Sequence, residues 1–408
     1  MTSEPLDQLE TRDAAALDGV LIAGGGIGGL ATALALSKRG IASTVLERRW
    51  VFGDDGAGIQ IGPNGTRILE QLGAAPFLRA RAMTPDALRV LDAANASELA
   101  TFPLGRWMAS RHGAPYWVAH RRDVHSALYS AAEREPLITI KMGFGVGVVK
   151  DKEKRVFAQG PDGEFVSGEA LIAADGAWSA LRLRTFGGGL PNFTGKTAAR
   201  AVIPIDDVPE ALHRTEVHLW LGPDVHVVHY PVSSGHAVAI VAIFNDARIA
   251  NDWSTPRDRS WIAARTRGFA PLLRDLLARP EQWRSWPLLA LAKRPKFAVG
   301  RTALLGDAAH PILPFLAQGG VMALEDAVVI ANALSAHPGD PARAFKSYEK
   351  QRRARVGRVA RASRMNGRIY HLGGPLAVAR NYALARITPE RFMGRFDWLY
   401  GWKPPGSE

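Results

Sequence analysis

The chain has 408 residues, with 51 Lys+Arg against 39 Asp+Glu for a formal net charge of +12, and no cysteine. That length allows two or three domains with substantial cores, and 47% apolar with 22% charged residues describes an ordinary globular composition. The missing cysteine excludes disulfides, thiolate metal sites and cysteine catalysis, and no metal site is expected.

Residues 1–18 are polar and acidic and lack the basic start and apolar centre of a signal peptide, so they read as a flexible extension. No apolar run looks long enough to cross a membrane, and the expected location is cytoplasmic. The arginines are spread along the chain without an aromatic-basic recognition module. The positive charge therefore argues for small anionic ligands rather than nucleic acid. The densest cluster, Arg352, Arg353, Arg355, Arg358 and Arg361, falls around the circumference of a predicted helix and reads as a solvated surface.

Val20-Leu21-Ile22-Ala23 is a short apolar run followed at once by Gly24-Gly25-Gly26-Ile27-Gly28-Gly29, and Leu30 to Lys38 has helical spacing. A strand-to-helix turn is the context a dinucleotide fingerprint requires. Gly24 permits the tight turn, Gly26 lets backbone approach a pyrophosphate, and Gly29 lets the helix pack on its strand. An anion then rests on free N–H groups at the helix start, around Ile27 and Gly28. A second apolar run, Ile41 to Leu46, ends in Glu47. It lies about 20 residues beyond the glycines, where a carboxylate meets ribose hydroxyls. Arg48 follows, within reach of the adenosine side or a phosphate.

Farther on, Gly62-Pro63-Asn64 predicts a turn or cap before a helix over Gly65 to Leu72. His120-Arg121-Arg122-Asp123 precedes a helix from Val124 to Glu133, with Asp123 as the expected N-cap. Gly143-Phe144-Gly145-Val146-Gly147 has the wrong spacing for a second fingerprint and reads as a strand of small residues. Ala174-Asp175-Gly176 suits either a strand-end turn or a cofactor contact at Asp175. Strands are predicted over Ala198 to Pro204, Thr215 to Leu221, His226 to Pro231 and Ala237 to Phe244, forming an antiparallel sheet. Leu304-Leu305-Gly306-Asp307 is another strand end, and a helix follows from Gly319 to Leu334. In the strand from His226, residues 226, 228 and 230 share one face while Val227 and His229 share the other. An imidazole beside a phenol could move a proton near neutral pH, which makes His226 and Tyr230 candidates; a histidine bonded to backbone is the alternative. His310, in its constrained turn before Pro311, reads as structural.

The stretches GGGIGGL (24–30), GAGIQIGPNGTRILEQLG (56–73), HRRDVHSAL (120–128), ADGAWSALR (174–182), TGKTAARAVIP (194–204), LWLGPDVHVVHYP (219–231), GDAAHPILPFLAQGGVMALEDA (306–327) and DWLYGW (397–402) span the chain almost end to end. In them the chain resembles the single-component FAD-dependent aromatic hydroxylases of the para-hydroxybenzoate hydroxylase fold, in the group of salicylate hydroxylase, 3-hydroxybenzoate 6-hydroxylase and 6-hydroxynicotinate 3-monooxygenase. The resemblance implies FAD as cofactor, NADH or NADPH as transient electron donor and O2 as co-substrate. It further implies hydroxylation of a small aromatic acid or phenol through a flavin C4a-hydroperoxide. It places Arg121, Asp175 and Asp307 against FAD, with the Gly319-Gly320 backbone near the flavin ring.

The expected fold is α/β: a Rossmann-like FAD-binding domain (19–90, 110–190 and 295–335) interleaved with a mainly antiparallel β-sheet substrate domain (91–109 and 191–294), then a helical C-terminal region (336–408). Arg200 is a candidate anchor for a substrate carboxylate, or else a surface strand arginine. Pro314 and Phe315 are expected to wall the ring site. Ala199 stands where relatives often have tryptophan, which would enlarge that site. Trp220 and Trp286 read as core or as pocket lining. The aromatic 397–402 tail packs on its own domain or at a subunit contact, in a monomer or homodimer. A flavin oxidase or dehydrogenase independent of nicotinamide, and a non-catalytic flavin-binding protein, stay open at this stage.

Overall fold

The structure is a computed structural model that describes residues 15–17, 19–53, 57–152, 154–246 and 254–405. In chain order the elements begin β1 (Ala15–Ala16), β2 (Val20–Ala23), α1 (Ile27–Ser37), β3 (Ser43–Glu47), β4 (Gly58–Ile61), α2 (Pro63–Gln71), α3 (Ala75–Arg79), β5 (Ala87–Asp92), β6 (Glu98–Pro103), α4 (Gly105–His112), β7 (Trp117–His120) and α5 (Arg121–Ala132). There follow β8 (Ile138–Met142), β9 (Val148–Lys152), β10 (Arg155–Gln159), β11 (Phe165–Gly168), β12 (Ala170–Ala173), α6 (Ala180–Phe186), β13 (Asn192–Pro204), β14 (Glu216–Gly222), β15 (Val225–Val232) and β16 (Ala237–Asn245). The remainder comprises β17 (Thr255–Arg257), α7 (Arg259–Arg265), α8 (Pro271–Ala278), β18 (Trp283–Ala290), β19 (Ala298–Val299), β20 (Thr302–Leu304), α9 (Gly319–Ala336), α10 (Pro341–Tyr370), α11 (Gly374–Arg386), α12 (Pro389–Gly394) and α13 (Asp397–Tyr400).

Two large sheets organise these elements. The first has the order β19-β20-β12-β2-β3-β8 and is parallel apart from its β19 edge. Its β2 and β12 are buried along their whole length, as continuous apolar runs in a parallel sheet should be. The second has the order β17-β18-β13-β16-β15-β14-β5-β6; every pairing is antiparallel except β14 with β5. A two-stranded unit of β4 and β7 packs against β15 and β16 of the second sheet, and β1-β11-β10-β9 forms a small fourth sheet.

Several expectations need correction. The extension read over 1–18 lies mostly outside the described residues, yet Ala15 and Ala16 pair with Val166 and Ser167 as a parallel strand. Asp123 does not cap α5: the helix starts at Arg121, and His120 accepts the hydrogen bond from Arg122 N (3.2 Å) while Asp123 pairs with Arg81. Residues 143–147 form a loop, because Gly143 adopts φ +74° and its N–H donates to Arg49 O, ending the strand. Helix α9 is long and apolar enough to cross a membrane by composition, but it is largely buried, packing against α1, α2 and α10.

The arginine-rich helix is also not a solvated surface throughout. Arg352 is buried, with Nη1 2.8 Å from Glu325 Oε2 and Nε 2.6 Å from Asp326 Oδ1. Arg355 donates to both oxygens of Glu325. Asp326 Oδ2 also accepts from Gly306 N (3.0 Å) and meets His310 Nε2 at 2.6 Å, while Asn64 Nδ2 donates to Glu325 (2.8 Å) and Gln318 (3.0 Å). Burial alone would raise the Asp326 pKa, but His310 and Arg352 hold it down to about 2. The aromatic tail packs on the same helix, with Trp398 under Arg358 and Trp402 near Arg352.

Two outcomes follow from these buried charges and rings. Arg352→Ala strands two buried carboxylates and should lower stability by about 3–5 kcal/mol in urea unfolding. On the far side of the second sheet, His218 and His229 stack at 4.5 Å, and His218 Nδ1 and His229 Nε2 find no partner among the described residues. Burial lowers both pKa values, that of His218 to about 4. Since the folded values lie below the unfolded value near ~6.5, stability is full above that pH and is lost as pH falls toward about 4. Each histidine adds a slope of up to about 1.4 kcal/mol per pH unit. A His218→Gln/His229→Gln double variant should show a shallower acid loss, measured by unfolding across that window.

Candidate functional site

The glycine turn joins β2 to α1 at the C-terminal edge of the parallel sheet. Gly24 has φ +109°, and a Cβ there would stand 2.5 Å from Ala174 O; one at Gly29 would stand 1.9 Å from Gly24 O. Both glycines are therefore demanded by backbone packing, whereas a Cβ on Gly26 would meet nothing within 4 Å among the described residues. Helix α1 opens with Ile27 and has no side-chain cap, which leaves the N–H groups of its first turn directed at the space beside Gly26. Glu47, buried at the end of β3, accepts from Gly25 N (2.7 Å) and Arg49 N (3.0 Å) and keeps lone pairs for further donors. His125 Nε2 lies 2.7 Å from Gly25 O, holding α5 to the turn. Arg48 is exposed, its Cβ against Gly145.

Asp175, at the end of β12, accepts from Leu181 N (3.3 Å) and from Ser179, so one oxygen serves the start of α6. Its Oδ1 is buried without a partner among the described residues, and burial raises its pKa. Arg182, from the same motif, is fully buried and donates to Ala308 O (2.8 Å) and Ala177 O (2.6 Å), clamping the two loops together. Sequence reasoning passed over it because an arginine inside a helix gives no hint of what it reaches.

Asp307 sits in that clamped loop. Its side chain keeps accessible surface, yet burial raises its pKa against the lowering influence of Arg121, His310 and Arg182. Both hold for a carboxylate that lines a deep cleft. Arg121 opens α5, with its N–H on Ala57 O (2.9 Å), so its charge acts on Asp307 from across the cleft. The loop ends at Ala317 with φ +52°, and Gly319-Gly320 open α9 with no side-chain cap. A Cβ on Gly319 would meet nothing within 4 Å; one on Gly320 would touch Ile59 of β4 at 3.1 Å.

The register of the second sheet decides which side chains share a face. Paired residues across β13, β16 and β15 run Ala198–Ile243–His226, Arg200–Val241–Val228 and Val202–Ala239–Tyr230. Arg200 therefore lies on the face of His226 and Tyr230, one row between them. Trp286 pairs with Ala198 and stands under the Arg200 guanidinium at 5.1 Å. Burial depresses the Arg200 pKa to about 10, with Arg121 adding to the effect, while the side chain keeps accessible surface and Nε finds no partner among the described residues. Ala199 points the other way. It is buried with Trp220 against α7 and α8, so it does not enlarge this face.

Loop and sheet meet at this face. Phe315 is buried against His226 (ring centroids 5.5 Å) and Gly367 of α10, with Pro314 partly exposed beside it. Tyr230 hydrogen-bonds Gln60, which accepts from Tyr116 (2.7 Å), and its ring touches Gly58 of β4. His226 Nδ1 lies 2.8 Å from His371 Nε2, at the end of α10. Gln60, Tyr116 and His371 escaped the sequence reading; Gln60 lies in the 56–73 stretch, whose first residue is outside the described set, but His371 carries no sequence signal.

The FAD binding domain family matches residues 19–363. The 3-hydroxybenzoate 6-hydroxylase of Polaromonas naphthalenivorans (strain CJ2) is 38% identical over 384 residues, 94% of this chain and 96% of that protein. The 3-amino-4-hydroxybenzoate 2-monooxygenase PtmB3 of Streptomyces platensis is 35% identical over 392 residues, 95% of this chain and 97% of that one. The crystal structure of Klebsiella pneumoniae HpxO complexed with FAD and uric acid superposes with a TM-score of 0.82 at 26% identity, covering 95% of this chain and 96% of that chain. A cleft at the edge of a parallel sheet, facing a second sheet that carries a half-buried arginine and a buried histidine, agrees with these likenesses over nearly the whole length: the chain belongs to the family of FAD-dependent aromatic hydroxylases.

Proposed function

We propose that this protein hydroxylates a small aromatic acid bearing a phenolic hydroxyl, with the cofactor in the cleft between Gly26, Asp307 and Gly319 and the substrate on the Arg200–His226–Tyr230 face. The observation that carries the reading is the register placing a desolvated cation, an imidazole and a phenol on one side of the sheet. The cleft fits FAD: Gly26 and Gly319 leave room where any side chain would stand, the α1 N-terminus offers donors to a pyrophosphate, Glu47 has spare lone pairs for ribose hydroxyls, and Asp307 faces the space with an incompletely compensated carboxylate. Arg48 and Arg121 bring positive charge to the two ends of the same cofactor, and the Asp175 orphan oxygen lies behind its turn.

When bound, FAD supplies the redox chemistry, taking electrons from NADH or NADPH and delivering one atom of O2 to the ring. Everything else falls to the chain. Arg200, which burial makes a poor isolated cation, gains most from an anionic partner and so anchors the carboxylate in a bidentate contact over Trp286. His226 takes the phenolic proton at Nε2, which raises the electron density of the ring carbon to be attacked; Tyr230, held by Gln60, orients the same oxygen. Phe315, Pro314 and Tyr370 keep water from the reacting ring. The substrates named for the relatives, 3-hydroxybenzoate and 3-amino-4-hydroxybenzoate, both carry a carboxylate and a ring hydroxyl, the two groups this face accommodates. The setting is cytoplasmic, where NAD(P)H is supplied.

Three outcomes test the reading. His226→Ala should keep bound FAD, seen by visible absorption, while kcat for hydroxybenzoate-dependent NADH oxidation falls roughly 10²–10⁴-fold. Unchanged turnover would remove His226 from the reaction. Arg200→Met should act chiefly on substrate binding, raising KM by about 2–3 kcal/mol in free-energy terms with a smaller change in kcat. The Cβ of Gly26→Val meets no atom of the described residues within 4 Å, so the variant should fold normally but purify colourless; a yellow Gly26→Val protein would contradict the placement of the pyrophosphate.

A further inference from the structure

His226 is enclosed by Phe315, Tyr370 and His371, and its Nδ1 is committed to His371 Nε2 at 2.8 Å. His371 reaches this point from the C-cap position just past Tyr370 of α10, and its carbonyl accepts from Asp224 N (3.2 Å) in the β14–β15 turn. On the other side of its ring, Nδ1 lies 3.0 Å from Asn245 Oδ1 and 3.1 Å from Lys196 Nζ. Lys196 also contacts Asn245 Oδ1, and Asn245 Nδ2 donates to the carboxylate of exposed Asp224 (2.5 Å). A continuous line of hydrogen-bonding atoms thus runs from the buried sheet face to the surface.

We propose that His371 relays the proton that His226 takes from the substrate, passing it out to solvent beside Lys196 and Asn245. The inference rests on His226 being the base of the proposed reaction. The two contacts of His371 Nδ1 cannot both be satisfied in one tautomer, because Asn245 Oδ1 only accepts and the Lys196 ammonium only donates. Across a proton transfer each is used in turn. At the start His226 Nδ1–H donates to His371 Nε2, and His371 Nδ1–H donates to Asn245 Oδ1. The substrate O–H bond breaks as an N–H bond forms at His226 Nε2; the Nδ1 proton of His226 moves to His371 Nε2; and the Nδ1 proton of His371 leaves to water at the mouth. Bare Nδ1 then accepts from Lys196. Both rings end neutral in the opposite tautomer, the substrate is a phenolate, and one proton has reached solvent. No buried imidazolium has to persist, which matters because burial lowers the pKa of both rings, that of His371 to about 4.

His371 acts through His226 and is a positioning residue. The holoenzyme with hydroxybenzoate, compared with His371→Gln, His371→Ala and His226→Ala, tests it. Both His371 variants should retain FAD and change KM by less than about threefold, while kcat falls roughly tenfold to a hundredfold. The solvent deuterium isotope effect on kcat should change, and added imidazole should restore part of the rate in His371→Ala. In the substrate-free protein, 15N NMR of the imidazoles should show His226 protonated at Nδ1 and His371 accepting at Nε2. Should His371→Ala fail to fold, His371→Gln carries the comparison. Normal kcat in the His371 variants with a slow His226→Ala overturns the relay alone; normal turnover in His226→Ala overturns base and relay together. A slow His371→Ala with an unchanged isotope effect and no rescue also overturns it, since a structural role would explain that result.

Discussion

The pairing of Arg352 with Glu325 and Asp326 is the interaction on which the rest of the site depends. Three charges are taken out of water, and they are tolerable only because every oxygen finds a donor: Arg352, Arg355 and Asn64 on one carboxylate, Arg352, His310 and Gly306 on the other. Those donors come from α2, α10 and the loop after β20. The network therefore locks that loop against α9, and in doing so sets where Asp307 and the Gly319-Gly320 turn stand. Arg182 closes the loop from the opposite side through Ala308 and Ala177.

With the loop held, two sheets of different character are brought face to face. The parallel sheet offers the C-terminal ends of β2, β3, β12 and β20, where backbone N–H groups and carboxylates collect, as expected for a ligand site in a doubly wound sheet. The antiparallel sheet offers a face of side chains in fixed rows. Strand β4 bridges them, since Ile59 approaches Gly320 while Gly58 underlies Tyr230. Phe315 completes the join by placing the end of the cofactor loop against His226.

Electrostatics in the cleft follow from desolvation more than from any single ion pair. Asp307 is pushed up, Arg200 down, and the histidines His226 and His371 down, each toward its neutral form. Arg200 and the two histidines therefore hold their protons more loosely than they would in water, and Asp307 holds its proton more tightly.

Local features were legible in the sequence wherever one residue type answers one local demand. Gly24 and Gly29 are required by backbone contacts, β2 and β3 by continuous apolar runs, and β14 to β16 by short strands between turns, and each appears within a few residues of its expected place, while β13 begins earlier than Ala198, at Asn192. The shared face of His226 and Tyr230 followed from strand periodicity alone. What stayed hidden depends on elements far apart in the chain. Arg352 looked like one of many surface arginines until α9 presented two carboxylates 26 and 27 residues away. Asp123 looked like a cap until His120 took that role, and Ala199 looked like a pocket residue until the register turned it toward α7 and α8. His371 joined His226 across 145 residues with no motif to announce it. Periodicity and turn chemistry are written into neighbouring residues, so the sequence by itself determined the elements and the chemistry of the glycine turns. Which face meets which, and which buried charge finds its partner, are settled only by packing, and the tertiary structure alone decided them.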